Sequence, residues 1–74
     1  MDKNGLGRIM SFKAADGDVY DIGIDMWGYD VLNIFVFTPE YGNFIVATMQ
    51  NSFGDKYDIC FPINNIQWIR YERI

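Results

Sequence analysis

Two neighbouring β-prone runs near the middle of this chain, residues 31–38 and 44–49, are apolar on both faces. In the first, Leu32, Ile34 and Val36 alternate with Val31, Phe35 and Phe37, and only Asn33 is polar among them. In the second, Phe44 and Val46 alternate with Ile45, Ala47 and Met49. Successive side chains of a strand point to opposite sides, and an antiparallel sheet normally keeps one side on the core and one in water. A chain of 74 residues builds a single small core. A cover from outside is therefore expected: Val31, Phe35, Phe37 and Phe44 are read as an interface between copies of the chain. The competing solution wraps the chain's own amino or carboxy segment over that face, or bends the sheet until both sides are internal.

Composition agrees with strands throughout. Ten isoleucines, four valines and thirteen aromatic residues stand against three alanines and two leucines. β-Branched and aromatic residues fit a pleated, half-buried surface, whereas alanine and leucine favour helices. An apolar fraction of 50% excludes intrinsic disorder. No apolar run is long enough for a transmembrane helix. The single Cys60 and the lack of histidine exclude an internal disulfide, a Cys/His zinc site and histidine acid–base catalysis. The net charge of −4 argues against nucleic acid as a partner. The amino end lacks the apolar stretch of a signal peptide, so a cytoplasmic protein is expected.

Turn signals cut the chain at short intervals. Residues 1–7 are read as a flexible segment ahead of one β-barrel domain, 8–74. Strands are expected over Arg8–Lys13, Val19–Met26, Val31–Thr38, Phe44–Met49, Tyr57–Phe61 and Ile66–Tyr71. The second shows the cleanest alternation, with Tyr20, Ile22, Ile24 and Met26 on one side and Asp21, Gly23 and Asp25 on the other; in the fifth, Tyr57, Ile59 and Phe61 are expected to face inward. The Asp16-Gly17 pair is a strong hairpin signal. The last segment also carries a helical spacing at Ile63, Ile66, Ile69 and Arg73, with Pro62 suited to a first helical position. Asn64-Asn65 and the mediocre helix formers around them oppose that reading.

The run Phe61-Pro62-Ile63-Asn64-Asn65-Ile66 resembles the Phe-Pro-x-Asn-x-Val stretch of SH3 domains. There a strand ends, one 3₁₀ turn follows and the last strand begins. The resemblance spans six residues. The acidic aromatic opening and paired tryptophans of SH3 domains are missing, so it implies a way of closing a barrel and no proline-rich ligand. Sm-like barrels close similarly. The expected fold is an all-β, five- to six-stranded antiparallel SH3-like or Sm-like barrel, with a short 3₁₀ turn before its last strand.

Candidate binding residues are aromatics on turns and a basic cluster near the carboxy end. Trp27 and Tyr29 flank Gly28 in a tight connection, and Tyr41 and Phe53 occupy other turns. Tryptophan and tyrosine are enriched at binding hot spots; the plain structural role is to cap the end of the barrel. Trp68 and Arg70 share a strand face, and with Arg73 they could hold a phosphate while a ring stacks on a base; structurally, Arg70 would simply cover Trp68. Asp21 and Asp25, four apart on one strand face, are too far from each other to share a metal, and Asp16 and Asp18, though closer, lack the spacing, further oxygen ligands and closing glutamate of a calcium loop. Together the four read as a solvated acidic face able to steer a basic partner. Cys60, Ser11 and Ser52 have no histidine to serve as base. Neither a catalytic residue nor a metal or cofactor is expected.

Two functions follow. One is a non-enzymatic protein-binding module, an adaptor, inhibitor or assembly subunit, acting as a homo-oligomer with another protein as partner. The other is a small-ligand, nucleotide-type sequestering protein with aromatic and arginine pockets at subunit interfaces.

Overall fold

A computed structural model of the protein describes residues 6–40 and 42–73. They form β1 (Leu6–Ala14), β2 (Val19–Asp21), β3 (Asp25–Met26), β4 (Tyr29–Phe37), β5 (Phe44–Asn51), β6 (Lys56–Pro62), a 3₁₀ turn (Ile63–Asn65) and β7 (Ile66–Arg73). The structure is all-β. One antiparallel sheet has the order β2-β1-β7 and the other β3-β4-β5-β6. Of the expected amino-terminal segment, residues 1–5 lie outside the described residues, and Leu6 and Gly7 already belong to β1. The 3₁₀ turn falls where the Phe-Pro-x-Asn run places it, and the Ile63 N–H donates to the Asn43 carbonyl at 3.0 Å. Beyond it the chain is a strand: β7 pairs with β1 over most of its length.

The expected second strand is broken. Its alternation is unbroken in sequence, yet the backbone turns at Gly23, whose φ of 84° suits a residue without a Cβ. The Ile24 N–H donates to the Asp21 carbonyl at 3.1 Å, closing the turn. The Gly23 N–H donates to Val31 at 2.8 Å, and the Ile22 N–H to Met10 at 3.0 Å. Those two bonds reach opposite sheets, so this bend is the corner where the chain passes from one sheet to the other. Ile24 is left exposed at the corner, whereas Ile22 is half-buried against the core.

A second departure lies in β4. Val31 pairs with Met49 and Asn33 with Thr48, which leaves Leu32 as the extra residue of a β-bulge. A bulge shifts the side-chain phase by one. Val31 and Ile34 therefore both face the core, at 1% and 2% exposure, and Leu32 is exposed. This corrects the expected faces: Val31 is a core residue and not part of an outer surface.

The core lies between the two sheets. Ile9, Phe12, Ala14 and Tyr20 come from one sheet, and Val31, Ile34, Ile45, Ala47 and Met49 from the other. Phe12 stacks on Tyr20 with ring centres 4.9 Å apart, and Phe61 meets both rings from β6 at 5.7 and 5.5 Å. Each such aromatic pair adds about 0.5–1.5 kcal/mol beyond area burial.

Candidate functional site: an aromatic cup and an apolar outer face

Two places stand out, on opposite faces of the β3-β4-β5-β6 sheet. The first begins at the β3–β4 turn. Met26 pairs with Tyr29, so Trp27 and Gly28 form a two-residue hairpin loop with φ of 56° and 84°. Both values are positive, as a type I′ turn requires, and asparagine or glycine is the usual first residue. Tryptophan there costs about 1–2 kcal/mol of backbone strain. Its indole is 65% exposed and meets the Tyr20 ring edge-on at 6.1 Å.

Around the indole lies a cup of about 240 Å³ lined by Trp27, Tyr29, Met49, Tyr57 and Ile59. Tyr29 and Tyr57 pack edge to face at 5.6 Å. Tyr29 pairs with Asn51, which brings the β5–β6 turn to the same end of the sheet. That turn is held by the Asn51 side-chain oxygen, which accepts from the Phe53 N–H at 2.9 Å and the Asp55 N–H at 3.0 Å. Phe53 at its tip is 87% exposed. Asp25 and Asp30 stand directly opposite each other one pair behind the Trp27 turn.

The second place is the outer face of the same sheet. Register puts Phe35 and Phe37 of β4, Phe44 and Val46 of β5, and Asp58 and Cys60 of β6 on one side. A shallow cavity of about 300 Å³ is lined by Phe35, Phe37, Val46, Asp58 and Cys60. Phe35 is 39% and Phe37 48% exposed; Val46 forms the floor. At its edge Thr48 Oγ1 donates to Asp58 Oδ1 at 2.8 Å.

The expected binding residues divide. Trp27 and Tyr29 meet in the cup. Tyr41 lies outside the described residues. Trp68 and Arg70 share the outer face of the other sheet, but Arg70 Nη2 donates to Asp21 Oδ1 at 3.2 Å. Arg73 is an odd number of positions from Arg70 and takes the opposite side of β7. The three do not form one cluster. Sequence reasoning set Tyr57 inward and gave Phe53 only passing weight; that Tyr57 lines the cup with Trp27, and that the turn bearing Phe53 lies at the same end of the sheet, depends on the pairing of Tyr29 with Asn51, a long-range register with no local signal.

Among the described residues no group of three His, Cys, Asp or Glu side chains could hold a metal ion, and no helix is long and apolar enough to cross a membrane. The chain matches no protein-family model, and comparison with curated proteins and with solved structures finds no significant match.

Proposed function

We propose that this chain is a non-enzymatic protein-binding module, of the adaptor, inhibitor or assembly-subunit kind, that works as a small homo-oligomer in the cytoplasm. The observation that supports it is the outer face of β4–β5–β6, where Phe35 and Phe37 stand half-exposed over Val46 beside the exposed Cys60. Fully burying a side chain of this size contributes about 1.5–3 kcal/mol, so covering the exposed halves of two phenylalanines adds about 2 kcal/mol. Against a domain stability of about 5–15 kcal/mol that is a substantial gain. A second copy, presenting the same patch across a two-fold axis, supplies the cover.

The face, rather than a strand edge, is the contact surface in this reading. β6 is the outermost strand of its sheet, but it carries Lys56, Asp58 and Pro62, the charges and proline that discourage edge-to-edge pairing. The two sheets are read as an SH3-like or Sm-like barrel left open between β6 and β7. The nucleotide-sequestering alternative is less well served, because Arg70 is engaged by Asp21 and Arg73 points away from it.

Cys60 reports on the proposal directly. Its thiol should be alkylated quickly in dilute protein and several-fold more slowly when copies associate at high concentration. A rate that stays constant across three decades of concentration would contradict a contact through this face.

A further inference from the structure

The cup around Trp27 has a chemistry that the outer face lacks. It presents the rings of Trp27, Tyr29 and Tyr57 to one space, with Met49 and Ile59 beneath. The face of an aromatic ring is the negative part of its quadrupole and attracts cations. The surroundings have the same sign. The segments that form this end, residues 25–30 and 51–57, hold three acids (Asp25, Asp30, Asp55) against one base, Lys56. Asp25 and Asp30 alternate with Met26 and Tyr29, so they stand on the other face of the sheet, in one row with Lys56 across Gln50, and they act on the cup only through the net field of this end. Asp16 and Asp18 act on the same region through Tyr20. Their carboxylates, together with burial as the larger cause, hold its phenol above the usual range, and its ring touches Trp27. Finally, Trp27 is kept in a left-handed backbone conformation, mostly in water. A residue that is strained and little buried is explained better by what it offers a partner than by what it contributes to the core.

We infer that the Trp27–Tyr29–Tyr57 cup is a receptor for one basic side chain, arginine or lysine, of a partner protein. The inference rests on the binding-module reading and names what that module recognises. The aliphatic stem of the incoming residue lies over Met49 and Ile59, its charged head meets the aromatic faces, and the net negative charge of this end draws it in. Arginine suits the site best, because its planar guanidinium stacks on rings.

Titration of the ¹⁵N-labelled protein with capped arginine, capped lysine and capped citrulline tests this. Citrulline keeps the shape of arginine and removes the charge. The two cations should shift the Trp27 indole and the Gly28 amide resonances saturably, and citrulline should leave them in place. Trp27→Asn, which suits a positive φ, should weaken arginine binding roughly tenfold, as should Tyr57→Leu on an exposed strand position. Equal shifts with citrulline would overturn the inference. So would no shift with either cation, or unchanged binding in both variants. Repeating the titration on Phe37→Asp separates this site from self-association: cation binding persists there even though the outer face is disabled. If the wild type proves monomeric while arginine still binds, only the oligomer reading fails.

Discussion

Ser11 shows how one residue fits its surroundings here. Asp21 and Arg70 are its register partners on the two flanking strands, so all three share a face. The ion pair between Asp21 and Arg70 closes over Ser11, whose Oγ is fully buried with no hydrogen-bond partner. A buried, unsatisfied hydroxyl costs about 1–3 kcal/mol. Ser11→Ala should therefore stabilise the protein by about 1 kcal/mol in urea unfolding; a loss of stability would show that the hydroxyl is bonded. Tyr20 carries a different signature. Burial first, and the Asp18 and Asp16 charges after it, raise its pKa above the ordinary 10.0. The folded state thus holds the phenolic proton more tightly than the unfolded chain. The associated stability is complete below about pH 10 and is lost as pH rises through the folded value. Alkaline unfolding should be shallower in Tyr20→Phe; identical curves would rule this out. Trp27 was legible as an aromatic on a turn. Its positive φ was not, because Trp-Gly does not announce a turn that usually takes Asn-Gly.

At the level of elements, alternation was a good guide wherever the backbone stayed regular. Ile59 and Phe61 do pack against the core, with Tyr57 on the same side but exposed at its rim, and the 3₁₀ turn follows Pro62 as the Phe-Pro-x-Asn run implies. Two single-residue irregularities defeated it. The bend at Gly23 interrupts a perfect period-two pattern, and the bulge at Leu32 moves Val31 from the outer face to the core. The bulge has no cue in the side chains, since a strand can gain a residue without changing which residues are apolar; the bend has one, the glycine itself, which the regular alternation around it outweighed. The Gly23 bend is testable alone. A Cβ built there meets nothing within 4 Å, so a substitution adds backbone strain and no clash. Gly23→Ala should cost about 1 kcal/mol. A neutral effect by thermal or urea unfolding would mean that the corner does not need a left-handed residue.

On the scale of the whole molecule, the decisive property is an imbalance between apolar surface and the core available to take it. The middle hairpin was legible as apolar front and back, and Phe35 and Phe37 do remain half-exposed on the side away from the core. The proposed cover, a second copy, was not legible, because a cover of that kind leaves no pattern of its own in one chain. The cup at the far end of the same sheet was equally hidden, since it joins residues from β4, β5, β6 and a turn. The two proposals are separate: one assigns a second copy to the outer face, the other a basic side chain to the cup.

Light scattering on the purified protein, set beside Phe37→Asp, tests the central claim most directly. A wild-type mass at a whole multiple of 8.6 kDa, falling to 8.6 kDa in the variant with its β-sheet signal intact, is the expected result. A wild type that runs as a single 8.6 kDa species at all concentrations would contradict it.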